Sequence, residues 1–488
     1  MPGFGAIALA IAIVCCLTPP RAYDIYPERL SPAGSGYLSD GLEAWVQAWM
    51  EEHHVPGLSA CVLIGDSIIW EAHLGLRSIC PPRPVTDSTM FMLASVSKTF
   101  TGTAVMQLAE AAALDLDCDV AQYLPFTPRN PNHPGIPITL RAMLIHTSSI
   151  RDNWEVMLDS YCWGWDSPLT LEEYMPEYFL PGGRYYDAGK NFCQHGPGEK
   201  WVYSNMAYAL LGYTVECAAD TCFSGRTRRT IFDPLAMDHT GWFLAELDTS
   251  QVAVPCHWNP DENRWEEYGP FGYPDYPAGQ LRSSARDLSR MLTAMLAGGA
   301  LDGARILDQE TLDEMLSPQC PELNPNMGIT WRRSVHGGID TWGHGGGDYG
   351  VRTFYGFSPG SNIAAVVLTN GERGTMPVFD RLLQYADSVR TSPSWSAAEA
   401  PLTLSVSVSP NPAAASVRAL VRLPRPDSPL LLVIDAAGRL ADRLQLPGLT
   451  RGPHEVFMEL DGYPRGVYFA VVRTDRGCAS APFVVLGD

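Results

Sequence analysis

The stretch Ser95-Val96-Ser97-Lys98 places a lysine three residues after a serine, at the start of a helical apolar run. Lysine is scarce in this chain, because only three of the 34 basic residues are lysines and the rest are arginines. Arginine stays protonated in proteins, whereas a desolvated lysine can lose its proton and act as a base. The position of Lys98 therefore indicates a role beyond that of a bare charge.

On one helix, residues three apart share a face, so the Lys98 side chain can lie against the Ser95 hydroxyl. Burial and the positive end of the helix dipole both disfavour the protonated amine and lower its pKa. The backbone N–H of Ser95, at the helix start, can form half of an oxyanion hole. A serine–lysine pair is a known way to activate a nucleophilic hydroxyl. The alternative interpretation is a helix cap followed by a surface lysine.

Two later segments carry residues that can complete such a site. In Tyr203-Ser204-Asn205, extended backbone would point Tyr203 and Asn205 to one side, where a phenol can relay a proton and a carboxamide can hold an amine. In Trp342-Gly343-His344-Gly345-Gly346-Gly347-Asp348, the glycines let a substrate approach a strand edge, and the N–H of Gly347 can supply a second oxyanion donor. The similar His336-Gly337-Gly338 is predicted to be a hairpin turn, so His344 is the preferred histidine.

The order of helix and strand patterns predicts an α+β fold. Strand-like runs at 58–76 and 351–369 lie at the two ends of region 38–390, with helical material between them. We therefore predict one antiparallel sheet built from both ends, flanked by helices, with a helical insertion beside it. A linker rich in Ser, Pro and Ala at 391–402 leads to short strands at 403–488, which predict a β-sandwich.

The composition restricts the partners and the location. The net charge of −20 argues against nucleic acid and against an anionic membrane surface. Residues 4–17 form an apolar run too short to span a bilayer, and with Ala22 they predict a secretory signal peptide at 1–22. No Lys or Arg precedes this run, so an uncleaved anchor is the alternative. No later segment approaches transmembrane length, and we expect no integral span after signal cleavage.

The cysteines fit an exported protein. Of the 12 cysteines, Cys15 and Cys16 would leave with the signal, and an even number would remain. Disulfide bridges are predicted: Cys217 and Cys222 are close enough for a local bridge, and a pair at positions 162 and 193 could staple an aromatic segment, although sequence alone does not give the connectivity. Spacings of this kind without a nearby histidine are poor zinc signals, so we predict no metal and no cofactor.

Five segments carry a family resemblance. They are FMLASVSKTF at 91–100, MLIHTSS at 143–149, YSN at 203–205, PAGQL at 277–281 and HGG at 344–346. In order and spacing across 38–390 they resemble the class C β-lactamase-related serine hydrolases, a group that includes penicillin-binding D-peptidases and esterases. A related motif set has a serine nucleophile and a disputed acylation base. The fold that the resemblance implies is the β-lactamase/transpeptidase type.

The resemblance also implies roles for the motif residues. Ser95 would be the nucleophile, and Lys98 and Tyr203 the general base system. Asn205 would bind substrate and lysine, and the third box, which binds substrate, would consist of His344, Gly345 and Gly346. His146, in the second segment, is interpreted as structural.

The sequence departs from the family pattern at two positions, and these departures limit which family properties are expected of it. The third box has His344 where lactamases usually carry lysine, which looks more like the D-peptidase and esterase members. The usual HTSG reads HTSS at 146–149, which affects a turn. We therefore expect an exported hydrolase that cleaves an amide or ester, of a D-amino-acid peptide or ester, through an acyl-enzyme. A β-lactamase and a non-catalytic penicillin-binding-like surface protein are the alternatives.

Two further features belong to this expectation. Aromatic residues at 154–165 and 174–186 either border the cleft, which would favour a bulky substrate, or pack a loop.

In the C-terminal part, VSPNP at 408–412, VIDAAGR at 433–439 and GVYF at 466–469 resemble the Ig-like sorting domains of type IX-secreted bacterial proteins. That resemblance implies contact with secretion machinery and a secreted, cell-surface or periplasmic location in a bacterium.

Overall fold

The computed structural model describes residues 38–392, 405–409, 411, 413, 416–423, 428–446, 448–449, 452–460, 462–474 and 477–486. The predicted signal peptide at 1–22 and nearly all of the predicted linker at 391–402 lie outside these described residues. The residues between and beyond the C-terminal strands that fall outside the ranges given above are likewise not described.

The central sheet of the described chain has seven strands, and all of its pairs are antiparallel. Its strands are β1 Gly57–Ile64, β2 Ser67–Ser78, β3 Arg83–Pro84, β4 Arg332–His336, β5 Ile339–Asp348, β6 Val351–Ser358 and β7 Ile363–Thr369. Their order across the sheet is β4-β5-β6-β7-β1-β2-β3. Because β1 pairs with β7, with Leu58 opposite Thr369, the two ends of the region share one sheet. The predicted α+β architecture is confirmed.

The helices lie between and around these strands. They are α1 Leu38–Glu52, α2 Ser97–Glu110, α3 Leu140–Leu144, α4 Trp154–Asp159, α5 Leu171–Phe179, α6 Ala188–Asn191, α7 Asn205–Ala219, α8 Phe223–Thr227, α9 Ala285–Leu296, α10 Gln309–Met315 and α11 Met376–Arg390. Short strand pairs join Phe91–Met92 and Thr240–Gly241 to Arg282–Ser283, Cys162–Trp163 to Phe271–Gly272, Cys256–Asn259 to Arg264–Glu267, and Ala300–Leu301 to Ala304–Arg305.

The central sheet is covered on both faces, so its middle strands β7 and β1 consist almost entirely of apolar residues. In β1, Ala60 and Val62 belong to the core that includes α1 and α11, whereas Cys61 and Leu63 belong to the core that includes α9. This alternation follows from the two-residue period of a strand. Full burial of one large apolar side chain of this kind contributes roughly 1.5–3 kcal/mol, which makes the sheet a rigid base for the cleft.

The helix that carries the serine–lysine motif differs from the expectation. Ser95 lies in a 3-10 turn, Ala94–Val96, and α2 begins only at Ser97. Ala94 has a φ of 48°, in the left-handed region, which costs a non-glycine residue energy and recurs at functional sites. Packing of α2 against α7 and against the turn Tyr276–Ala278 holds the motif in the interior.

The predicted disulfide bridges are wrong, because the four cysteines proposed for them are all free. The Cys162 thiol donates to the carbonyl of Ser160 at 3.7 Å, and the Cys222 thiol accepts from Ser224 at 3.8 Å. Proximity in sequence does not bring two Cβ atoms to bridging distance, because the direction of each side chain also decides. The partners proposed for them, Cys193 and Cys217, are likewise unbridged.

The C-terminal strands form two further antiparallel sheets, as predicted. They are β8 Ser405–Ser409, β9 Ser416–Leu423, β10 Leu430–Asp435, β11 Leu440–Gln445, β12 Gly452–Glu459, β13 Gly466–Thr474 and β14 Gly477–Val485. One sheet has the order β8-β9-β12 and the other β11-β10-β13-β14. They enclose their own apolar core, which includes Val421, Val433 and Val472. None of the described helices is long and apolar enough to cross a membrane.

Candidate active site

Lys98 is fully buried and sits between three elements. Its Nζ donates to Ser95 Oγ at 3.2 Å, to Asn205 Oδ1 at 2.6 Å and to the carbonyl of Ala278 at 2.7 Å. An ammonium has three protons, so these three contacts use all of them. The structure therefore brings together Ser95 and Asn205, which the sequence predicted, with a backbone carbonyl that it did not.

The amine is poised to change its protonation state near neutral pH. Burial lowers the pKa of Lys98 to about 7, although the charges of Asp152, Asp275 and Asp348 act in the opposite direction. Desolvation disfavours the charged form of any group taken out of water. A neutral Lys98 can accept the proton of Ser95 Oγ, and this is the basic function that its sequence position indicated.

Asn205 is held from behind by Asp152. The Asp152 carboxylate accepts the backbone N–H of Asn205 at 2.8 and 3.0 Å, that of Met206 at 3.0 Å, and Asn205 Nδ2 at 2.8 Å. A carboxylate at the first turn of α7 is favoured by the helix dipole and by unpaired N–H groups there. With its amide nitrogen held by Asp152, Asn205 directs its amide oxygen to Lys98.

Asp152 was missed by sequence reasoning, and the backbone at Asn205 was predicted wrongly. Ser204 is the N-cap of α7 and accepts the N–H of Ala207 at 3.0 Å, so Asn205 is the first helical residue and not part of an extended run. The Ser–Asn pair followed by an apolar run was a local helix-start signal that could have corrected this. No local spacing marks Asp152, which lies 53 residues before Asn205.

Tyr203 reaches the same centre although the strand-like pattern does not continue to Asn205. The centroid of its ring lies 4.8 Å from Lys98 Nζ. On its other side the ring packs on His146, with centroids 4.3 Å apart, and His146 Nδ1 accepts the N–H of Ser204 at 3.2 Å. Burial lowers the pKa of His146 well below its usual value, so the ring is neutral. These contacts agree with a structural role for His146.

The third box lies inside strand β5, and not before a strand as the sequence suggested. The hairpin turn is at Gly337 and Gly338, with φ of 57° and 87°, as predicted for that rival motif. Strand β4 pairs only with 339–343, so no strand of the described chain pairs with that edge of 344–348. A Cβ at Gly346 would lie 2.0 Å from the carbonyl oxygen of Leu93. The glycine thus lets β5 touch the turn that carries Ser95.

His344 is a neutral partner at the cleft. Burial, and then the charge of Lys98, lower the pKa of His344 to about 4. Its Nδ1 lies 2.8 Å from the carbonyl oxygen of Gly345. At neutral pH the third box therefore offers a substrate carboxylate a hydrogen-bonding ring and no positive charge.

The two aromatic segments have different positions. Tyr174 and Tyr178, in the second segment, are fully buried in the core. In the first segment, the Tyr161 hydroxyl donates to the Asp348 carboxylate at 3.0 and 3.1 Å, and Trp163 is 40% exposed. The first segment borders the cleft, whereas the second packs the interior. In the described part of the chain, no group of three His, Cys, Asp or Glu side chains is arranged to hold a metal ion.

The similarity of this chain to known proteins covers most of the hydrolase region. The Beta-lactamase family model matches residues 42–389. Penicillin-binding protein 4 of Amycolatopsis lactamdurans is 27% identical over 349 residues, which cover 66% of this chain and 82% of that protein.

Two solved structures are similar at lower identity. The D-amino acid amidase of Ochrobactrum anthropi SV3, complexed with L-phenylalanine amide, aligns with a TM-score of 0.59 at 22% identity, over 72% of this chain and 100% of that chain. EstCE1, described as a hydrolase with promiscuous acyltransferase activity, aligns with a TM-score of 0.56 at 21% identity, over 71% and 98%. At these identities the two structures support the fold.

Proposed function

The chain belongs to the Beta-lactamase family of serine hydrolases, and we propose that it cleaves an amide or ester through an acyl-enzyme on Ser95. The observation that carries the proposal is the contact of 3.2 Å between Ser95 Oγ and the amine of Lys98. Burial lowers the pKa of that amine to about 7, so an uncharged base is available next to the hydroxyl at neutral pH.

In the acylation step, Lys98 takes the proton of Ser95 Oγ, directly or through the Tyr203 phenol. The oxygen attacks the substrate carbonyl carbon, and the N–H groups of Ser95 and Gly347 stabilise the oxyanion. The proton then passes to the leaving nitrogen or oxygen as its bond to the carbonyl carbon breaks. Asn205 keeps Lys98 in place, and the family resemblance implies that it also contacts the substrate.

In the deacylation step, water attacks the ester formed on Ser95. The proton of that water returns through Lys98 and Tyr203, and Ser95 Oγ leaves as the hydroxyl while the acid is released. The open edge of β5 at Gly345 and Gly346 can hold substrate backbone by strand-like hydrogen bonds in both steps.

The substrate class follows from the third box. His344 is uncharged at neutral pH, so β5 presents no cation to the carboxylate that penicillins and cephalosporins carry. We therefore propose a D-amino-acid peptide, amide or ester as substrate, with slow or absent turnover of β-lactams. The similar structures include an amidase of D-amino acids and the hydrolase EstCE1, which supports an amide or ester as substrate.

We also propose that the chain acts outside the cytoplasm. The support is the apolar run at 4–17 and the likeness of 403–488 to bacterial sorting domains. The two antiparallel sheets with a separate core are compatible with a sandwich module of that kind. The secretion machinery would then be a partner of this module.

The variant Ser95→Ala tests the enzymatic proposal. It should lose both turnover and covalent labelling by a fluorophosphonate or a penicillin probe, because both require the Oγ nucleophile. Intact-mass measurement of wild type and variant after labelling provides the readout. A non-catalytic binding protein would show no hydrolysis of nitrophenyl esters, D-peptides or lactams above the Ser95→Ala background. Undiminished labelling of the variant would remove Ser95 from the mechanism.

A further inference from the structure

Strand β5 points Asp348 into the cleft. Residues two apart on a strand share a face, so His344, Gly346 and Asp348 lie on the side that meets the Ser95 turn. The opposite side is identified by Gly343 and Gly345, where an added Cβ would meet the ring of Phe354. The Cα of Asp348 is about 3.3 Å of strand beyond that of Gly347, the proposed oxyanion donor. A substrate group one or two atoms from the scissile carbonyl lies within reach of this carboxylate.

The Asp348 carboxylate is hydrogen-bonded but makes no ion pair in the described part of the chain. It accepts from the Tyr161 hydroxyl and, at 2.8 Å, from the backbone N–H of Tyr349, and the Tyr273 hydroxyl is a further donor to it. The nearby Arg352 donates instead to the backbone carbonyls of Asp348 and Val351, at 2.7 and 2.6 Å. Across the described residues, no ion pair includes Asp348. A carboxylate has about four acceptor positions, so it can accept another donor.

Asp275 adds a second carboxylate whose bonding is incomplete. Its side chain is 3% exposed, and its Oδ1 atom has no hydrogen-bond partner within the described part of the chain. It lies three residues before Ala278, whose carbonyl accepts a bond from Lys98. Burial, and then the charge of Asp152, raise the pKa of Asp275 to about 7. A buried carboxylate oxygen without a donor is costly, and a cation in the cleft would relieve that cost.

The charges in the cleft are therefore unbalanced. The carboxyl groups of Asp152, Asp275 and Asp348 all act on Lys98, and the charge of Arg352 acts on Asp348. His344 is neutral, because burial lowers its pKa to about 4. Burial raises the pKa of Asp348 to about 6, so this carboxylate is largely ionised at neutral pH, whereas Asp275 is ionised only in part. Negative charge in a partly desolvated cleft attracts a cation and repels a carboxylate.

Aromatic rings flank Asp348 and open to solvent. The ring of Tyr161 lies 5.8 Å from that of Trp163 and 5.9 Å from that of Tyr349, measured between centroids. Tyr161 and Tyr349 pack against an apolar group that includes Ala94, the residue before Ser95. Aromatic faces attract ammonium groups and also accommodate apolar side chains.

We propose that Asp348, supported by Asp275 and the Tyr161–Trp163–Tyr349 cluster, binds a free ammonium group of the substrate next to the scissile carbonyl. The substrate class is then an amide, peptide or ester of an amino acid with an unblocked α-amino group and an apolar or aromatic side chain. This inference rests on the proposed acyl-enzyme function. The bond broken is the one already described, and the ammonium group takes no part in the chemical step.

Protection of Ser95 from a fluorophosphonate provides the first test. 2-Phenylethylamine and 3-phenylpropanoate share the ring and chain and differ in the sign of their charge. Phenylethylamine should slow labelling of wild type at a concentration about 10- to 100-fold lower than phenylpropanoate, as expected for a hydrogen bond to a charged group. Equal protection, stronger protection by the carboxylate, or no protection by either compound would overturn the inference.

Charge-removing variants then locate the site. The readout is the protecting concentration of phenylpropanoate divided by that of phenylethylamine. In Asp348→Asn this ratio should fall towards one. The control Asp261→Asn makes the same change in an exposed hairpin and should keep the wild-type ratio. Asp275→Asn should lower the ratio in the same direction, and it serves if Asp348→Asn fails to fold. Retention of the wild-type ratio in a folded Asp348→Asn would contradict the assignment.

Measurements of substrate turnover distinguish a failure of the ammonium site from a failure of the proposed acyl-enzyme function. D-phenylalanine p-nitroanilide should be cleaved with a higher kcat/KM than its N-acetyl derivative, and the N-succinyl derivative, which carries a carboxylate, should be the poorest. A faster N-acetyl substrate with intact Ser95 labelling would overturn only the ammonium site. A Ser95 that neither labels nor turns over any substrate would overturn the acyl-enzyme proposal itself.

Discussion

Lys98 and Asp152 organise the cleft at the scale of single residues. Lys98 contacts Ser95, Asn205 and the carbonyl of Ala278, and Asp152 fixes Asn205 through its backbone and side-chain N–H groups. The carboxamide is thus held between a carboxylate and an amine, and each end of it has a defined partner. A shift of any member would move the amine away from Ser95 Oγ.

Replacement of Lys98 by arginine should abolish most acylation. The variant Lys98→Arg keeps the charge but cannot deprotonate, so the rate of fluorophosphonate labelling should fall by roughly the 10²- to 10⁴-fold typical of losing a general base. Lys200→Arg, at an exposed position, is the matched control and should label at the wild-type rate. If Lys98→Arg kept most of the rate, the lysine would be acting as a charge only.

The acylation rate should also depend on pH through Lys98. Burial lowers the pKa of this amine to about 7, and only the neutral form accepts the serine proton. The rate should therefore fall about tenfold per pH unit below that pKa and level off above it. Labelling rates of wild type across this range give the profile. A flat profile from about pH 5 to about pH 9 would argue against a titrating base.

At the scale of elements, the long strand β5 joins the sheet to the nucleophile turn. Residues 339–343 pair with β4 and residues 342–348 pair with β6, so 344–348 pair with β6 alone. The strand can touch the Ser95 turn because Gly346 has no side chain. Thr353 Oγ1 donates to the carbonyl of Leu93 at 2.7 Å and ties the neighbouring strand to the same turn.

An added methyl group at Gly346 should separate these elements. In Gly346→Ala the Cβ would lie 2.0 Å from the Leu93 carbonyl oxygen and 2.3 Å from Thr353 Oγ1, so backbone must move. We expect a large loss of labelling and a destabilisation of about 1–3 kcal/mol, measured by denaturant unfolding. Gly360→Ala, where a Cβ meets nothing within 4 Å, is the control. Normal labelling of a stable Gly346→Ala would show that the close approach is dispensable.

At the scale of the whole molecule, the apolar cores are separate. The cores of the hydrolase region contain residues from Leu42 to Ala386, and that of the C-terminal sheets contains residues from Val406 to Val485. The residues that form the cleft all belong to the first region. Stability of the cleft should therefore depend on the hydrolase region.

Removal of residues 393–488 should abolish export of the chain and leave the acylation of Ser95 nearly unchanged. The shortened chain should label on Ser95 at a rate within about twofold of the full chain, since separate cores unfold as separate units. In a bacterial host with the cognate secretion system, the full chain should reach the outside and the shortened chain should not. Fractionation of cells followed by labelling measures both. Loss of labelling in the shortened chain would contradict the prediction that the hydrolase region works alone. Normal export of the shortened chain would contradict the prediction that 393–488 is needed for export.

Local sequence determined the elements of this protein and the nucleophilic pair. Apolar periodicity predicted strands at both ends of the hydrolase region and the C-terminal sheets, and paired glycines predicted the hairpin at 337–338. Ser95 and Lys98 could be paired because residues three positions apart in a helical run share one face. In each case the information lies within a few residues of chain, where backbone geometry alone sets the spacing.

Only the tertiary structure decided what surrounds that pair. Asn205 is 107 residues from Lys98 in sequence and Ala278 is 180, and neither Asp152 nor Asp275 lies in a recognisable motif. The predicted cysteine bridges failed for the same reason, since packing sets the direction of each thiol. The low pKa of Lys98 and of His344 arises from burial, which depends on how α2, α7 and β5 pack. One-dimensional patterns do not encode that packing, because its contacts join residues that are far apart along the chain.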